Sequence, residues 1–323
     1  MYQFIYLLRI LAAILITNSH YESIYPLSLL ANGGLLGDVL FFAISGYCLF
    51  LINQRFDRWF GKRLWRIYPA VWIVTLCYIL LRFYPVSGVG EFFQLILYPT
   101  YYHFVASILL LYILYYGLSK LLTFKDGYQN RRLLVVGILI AAVYFLLYYT
   151  IYDRSYYHLD SVHEPMIRFL FLFSMLIGLY FRANSARFLG QNQIGSWLAS
   201  LGLCILYFAS KLLFSKGYLP CEWQWINQLI LLLLLAALFR AFMGLESKLS
   251  AIPEKRMRIF RFCAGMTFEI YLVQYPLIPR LNIGVFPLNF LLVSGAIFIS
   301  AWILHILSDA VIRFPGKFRA KVK

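Results

Sequence analysis

Apolar residues run through this chain in long unbroken blocks, with polar and basic residues gathered between them. A helix that crosses a bilayer needs about 20 mostly apolar residues. In lipid every backbone polar group must be paired within the segment, which a helix does by itself. Ten blocks fit: residues 4–20, 34–52, 67–84, 103–122, 133–151, 166–182, 195–214, 224–243, 260–280 and 288–311. The stretch 89–102 is amphipathic and suits a re-entrant or interfacial segment. A membrane β-barrel would show short alternating segments instead. The expected fold is all-α: a polytopic membrane protein of about ten transmembrane helices. Residues 1–323 are expected to form a single integral-membrane domain, because the loops are too short to hold a fused soluble domain.

Composition narrows the class further. Hydrophobic residues make up 62% of the chain, charged residues 13% and aromatic residues 19%, and the mean hydropathy is +0.75. Soluble domains carry about 45–50% apolar and about 25% charged residues, so a water-soluble globule is excluded, as is a disordered chain. The net charge of +16 would suggest nucleic acid in a soluble protein. Here the placement of the charge matters more. Of the 29 Lys and Arg residues, 22 fall in the segments on one side of the predicted spans and five on the other, with Arg9 and Arg168 inside spans. Cytoplasmic loops carry such an excess, so both termini are expected in the cytoplasm and nucleic acid is not an expected partner. The first residues lack the basic run of a cleavable signal. The five cysteines show no metal or disulfide spacing, and neither a metal nor a bound cofactor is expected.

Ionisable residues inside apolar spans are costly and mark functional positions. The first span holds Arg9 and His20, eleven residues apart. At ~100° per residue they share one helix face, ~16 Å apart along the axis. Asp38, near the outer end of the second span, can orient His20 or satisfy a helix N-terminus. That span also carries Gly37, Ala43, Ser45 and Gly46, small residues that permit close helix approach. Arg63 and Arg66, at i and i+3 in a basic loop, can grip a phosphate. Late in the chain, Glu269, Tyr271, Gln274 and Tyr275 interrupt an apolar helix that Pro276 is expected to kink or end. Glu269 is read either as the ion-pair partner of an arginine such as Arg9 or as a substrate contact. The loop 153–165 contains His158, Asp160, His163 and Glu164. Their spacing allows a metal, but a tyrosine-rich rim for a sugar fits them better.

These segments, taken in order, resemble the membrane acyltransferase-3 family. Arg9 and His20 match its R-x10-H signature, Gly37–Tyr47 its second-helix segment and Arg63–Pro69 its R-x-x-R-I-x-P segment. The run from His103 and residues 175–181 resemble its fourth and sixth helices, and Thr267–Gln274 resembles its S-(Y/F)-x-x-Y-L-x-H segment, with Thr267 where Ser is usual and Gln274 where His is usual. The resemblance implies an O-acyltransferase, by the usual donor an O-acetyltransferase. It would move an acetyl group from cytoplasmic acetyl-CoA to a hydroxyl of a cell-surface or lipid-linked polysaccharide. It also implies the bacterial cytoplasmic membrane as location, Arg9 and His20 as the catalytic pair, and Arg63 and Arg66 as donor-binding residues. His20 is expected to act as general base, with Asp38, Glu269, Tyr271 and Gln274 in support. The alternative from the residues alone is a transporter or flippase for a glycan or small solute, although no internal repeat relates the two halves.

Overall fold

The computed structural model describes residues 2–98, 103–122 and 128–321, and among them it contains helices and no strand. In chain order the helices are α1 (Gln3–Ser19), α2 (Gly34–Cys48), α3 (Phe56–Leu80), α4 (Val89–Leu97), α5 (His103–Leu121), α6 (Gln129–Thr150), α7 (Ile167–Ala183), α8 (Ser185–Phe188), α9 (Ile194–Ser215), α10 (Trp225–Gly244), α11 (Glu246–Ser250), α12 (Glu254–Gly265), α13 (Thr267–Leu281) and α14 (Leu288–Lys321).

Each of the ten predicted blocks contains a helix. Seven among the described residues are long and apolar enough to cross a membrane: α2 with the turn before it, α3, α5, α6, α9, α10 and α14. The other three, α1, α7 and α13, have 17, 17 and 15 residues. At 1.5 Å per residue they rise only ~23–26 Å against a hydrocarbon layer of ~30 Å. Three boundaries differ from the sequence pattern. The basic run before residue 67 is helical, because α3 already starts at Phe56, where the Phe56 and Phe60 rings stack one turn apart at 5.1 Å. The block 260–280 is two helices, α12 and α13, that meet at Met266. The amphipathic stretch supplies α4, while its residues 99–102 lie outside the described residues, as do Lys125 and Lys323.

The chain forms two compact units. The first comprises residues 1–12, 35–52 and 113–260. Its centre is the contact of α2 with α7, which is backbone against backbone. A Cβ on Gly46 would lie 2.0 Å from the Met175 carbonyl oxygen, and one on Gly178 1.8 Å from that of Ala43. Only glycine allows this approach. Phe42 and Phe171 stack beside it at 4.2 Å, and the Tyr115 hydroxyl donates to the Gly46 carbonyl at 2.9 Å. The Glu246 carboxylate accepts the Gln3 and Phe4 N–H groups at 3.0 and 2.9 Å, so it caps the start of α1, where donors have no partner within the helix.

The second unit comprises residues 13–34, 53–112 and 261–323. Here α13 packs against α14 and α3, and α14 against α3. Polar pairs lock the apolar faces: the Tyr78 hydroxyl donates to the Val273 carbonyl at 2.9 Å, and the Trp72 indole donates to the Ile96 carbonyl at 2.9 Å, which seats α4 on α3.

Candidate active site

His20 closes the last turn of α1, its N–H donating to the Thr17 carbonyl at 3.1 Å. The loop that follows is drawn back by Asn18. Its Nδ2 donates to the Leu30 and Asn32 carbonyls at 2.8 and 2.9 Å, and its Oδ1 accepts the Tyr25 hydroxyl at 2.7 Å. His20 is therefore presented from a fixed turn, with its side chain exposed. It opens into a cleft of about 550 Å³ within the second unit, walled by residues 20, 22–23, 83–85, 275–276 and 278–280. The Tyr275 ring stands edge-on to His20 at 6.2 Å between centroids.

The α13 wall does not end at Pro276; the helix continues through Pro279 to Leu281. Proline removes a backbone donor. The Arg280 side chain folds back on the end of this helix, Nη1 donating to the Pro276 carbonyl at 2.9 Å and Nη2 to that of Phe83 at 3.3 Å. Immediately before this wall stands Gln274, buried, with Oε1 accepting the Thr17 hydroxyl at 2.7 Å. This bond ties the α1 turn that carries His20 to the α13 turn that carries Tyr275. Gln274 Nε2 is buried and has no hydrogen-bond partner among the described residues.

The other predicted residues are distributed as follows. Glu269 is buried and pairs, through Oε1, with Nδ1 of His305 on α14 at 2.9 Å. The sequence signal for His305 is the same as for His20, a histidine within an apolar span. Tyr271 does structural work: its hydroxyl accepts the Phe104 N–H at 3.3 Å in the first turn of α5. Arg63 and Arg66 sit near the start of α3. Arg63 is half-buried, its guanidinium 5.8 Å from the Trp59 ring, and its Nε has no partner among the described residues; Arg66 is exposed. Between them the Trp65 indole donates to the Ile312 carbonyl at 3.5 Å. Thus α3 carries the two arginines near one end, and the chain just beyond its other end walls the His20 cleft. From Arg66 to Leu80 the helix rises ~21 Å. Arg9 and Asp38 belong to the first unit; Arg9 is half-buried on α1, and Asp38 is buried on α2.

The tyrosine-rich loop is also part of the first unit. The His158 ring stacks on Tyr156 at 4.0 Å and on Tyr152 at 4.7 Å. Asp160 accepts the Tyr157 hydroxyl. Burial pushes the Asp160 carboxyl above its usual range. No group of three or more His, Cys, Asp and Glu side chains able to hold a metal comes together among the described residues.

A family profile described as an acyltransferase domain matches residues 2–307. The chain belongs to the acyltransferase-3 family. No curated protein and no solved structure matches it. Membership in the acyltransferase-3 family makes the protein a membrane acyltransferase, and the profile extends over the helices that carry Arg9, His20, Arg63, Arg66 and the α13 wall. The sequence did not point to Glu22 or Phe83 as cleft residues, because they come from loops whose meeting depends on the tertiary fold.

Proposed function

We propose that this acyltransferase moves an acetyl group from acetyl-CoA to a hydroxyl of a cell-surface or lipid-linked polysaccharide at the His20 cleft. The observation that carries this reading is an exposed histidine, fixed at a helix end, in an open cleft with aromatic walls. Tyr275 offers an exposed aromatic face to a sugar ring, and His20 offers an imidazole, a side chain suited to act as a general base. His20 accepts the proton of the acceptor hydroxyl as the oxygen attacks the thioester carbonyl. The C–S bond breaks, and the departing thiolate takes up the proton. Arg63 and Arg66 bind the phosphates of CoA from the cytoplasmic side, and the pantetheine arm crosses the ~21 Å that α3 rises from Arg66 to Leu80. Arg9 binds the CoA moiety or polarises the thioester carbonyl. The protein resides in the bacterial cytoplasmic membrane with both termini inside.

The test uses detergent-purified protein, radiolabelled acetyl-CoA and a crude glycan fraction. Wild type should transfer label to glycan, and His20→Ala should lose ~10²-fold or more of that rate while keeping its melting temperature. Arg63→Ala and Arg66→Ala should mainly raise the KM for acetyl-CoA. Label retained on the protein without acceptor would replace direct transfer by a two-step route. Folded wild-type protein that neither binds CoA nor transfers label would sink the reading in favour of transport.

A further inference from the structure

Arg280 projects into the same cleft as His20, and the mechanism above gives it no role. Its guanidinium lies against the Phe83 ring, 4.1 Å from the centroid, and two of its five N–H donors are taken by the Pro276 and Phe83 carbonyls. Both acceptors are neutral. No carboxylate stands within ion-pair distance of Arg280 among the described residues, Glu22 of the same cleft included. The cation is thus held in orientation by three contacts while its charge stays uncompensated, and its remaining donors are exposed to the cleft. A guanidinium fixed in this way is preorganised for a planar, two-oxygen anion and loses little side-chain entropy on binding one.

We propose that Arg280 receives an anionic group of the acceptor glycan, a uronate carboxylate or a sugar phosphate, while His20 faces a hydroxyl of the same glycan. This rests on the cleft being the acceptor site. Tyr275, more than half exposed at 58%, and the His20 ring lie on one side of the bound sugar, and the anion meets the Arg280 end. The acceptor class is then an acidic glycan. Its binding should weaken with salt, because a single exposed charge pair is screened. A neutral sugar of the same size would leave Arg280 solvated and gain nothing from it.

Binding is measured without turnover, on detergent-solubilised full-length protein, with three probes: a tetragalacturonate, its carboxyl-reduced neutral form and a hexose-phosphate oligosaccharide. Wild type should bind one or both acidic probes at least ~10-fold more tightly than the neutral one. Arg280→Ala should abolish that preference, and Arg280→Lys, which keeps the charge without the fork, should fall between. The carboxylate and phosphate probes tell the two anions apart. The same variants are assayed for acetyl-CoA binding and melting temperature, which should stay near wild type; Arg280→Lys keeps the test informative if Arg280→Ala disturbs the α13 wall. Equal binding of acidic and neutral probes, no binding of any of them, or an acidic preference that survives in Arg280→Ala overturns the proposal. His20→Ala should retain acidic-glycan binding while losing transfer. Loss of transfer in His20→Ala with no charge preference would therefore overturn the role of Arg280 alone and leave the acetyltransferase reading standing.

Discussion

Glu269 and His305 form the one polar pair in the second unit that joins a buried carboxylate to an imidazole among the described residues. Glu269 Oε2 has no hydrogen-bond partner there, so the bond from Oε1 to His305 Nδ1 is what offsets the cost of burying the group. A buried polar group stripped of its partner costs about 1–3 kcal/mol. His305→Ala should therefore lower the unfolding free energy by that amount in a detergent titration. Glu269→Gln in the same background should recover part of the loss, since an amide is cheaper to bury than a lone carboxylate. The resulting double-mutant cycle should give a coupling of about 0.5–3 kcal/mol. Strictly additive losses would mean that the two side chains stabilise the protein independently. At the same scale, Gln274 holds Thr17 by a neutral hydrogen bond at the position where the family usually has a titratable histidine. Whatever that position contributes here is contributed without a charge change near neutral pH.

At the scale of elements, α2 and α7 are held by shape. A Cβ on Gly178 would overlap a backbone oxygen, which cannot swing aside as a flexible side chain can. Gly178→Ala must push the helices apart and should cost about 1–3 kcal/mol, the range for overpacking. Gly137→Ala is the control: it lies inside α6 with nothing within 4 Å of its added Cβ, and it should be neutral or slightly stabilising through helix propensity. Equal melting shifts for the two variants would refute the close packing. The loop between α6 and α7 depends on charge instead. Burial of Asp160 raises its carboxyl pKa against the help of the Tyr157 hydroxyl and Lys211. Its folded pKa therefore lies above the unfolded value of ~3.9. Stability from the protonated form is present below the unfolded pKa and is lost as pH rises through the folded one. Asp160→Asn removes that dependence, so its melting temperature should gain on wild type as pH rises from about 4 toward neutrality. A difference that is flat or shrinks over this interval would contradict the assignment.

At the scale of the whole molecule, the hydrophobic blocks made the helices legible, since an apolar run of that length has few other folds available. The charge of Arg58 to Arg66 suggests a loop, yet the run is helical, because Arg and Lys are good helix formers and the stacked Phe56 and Phe60 start the turn. The break at Met266 left no mark in an apolar stretch. His20 was legible because an ionisable group at the end of an apolar span is conspicuous; Glu22, Phe83 and the role of Arg280 were not, since two loop residues and a helix-end cation acquire a role only when the fold gathers them. The distribution of Lys and Arg carries the remaining claim, that the α3 end bearing Arg63 and Arg66 faces the cytoplasm and the end leading to the cleft faces outward. Gly61, on the basic turn of α3, and Ser87, two residues past the cleft wall, are both exposed. With Cys48, Cys77, Cys204, Cys221 and Cys263 replaced by serine, a cysteine at position 87 should react with a membrane-impermeant maleimide on intact cells. One at position 61 should react only in inverted vesicles. The reverse pattern would put the cleft on the side where acetyl-CoA is made, so that the donor would enter beside His20 and need no path along α3. Labelling of both positions from one side would deny that α3 crosses the bilayer.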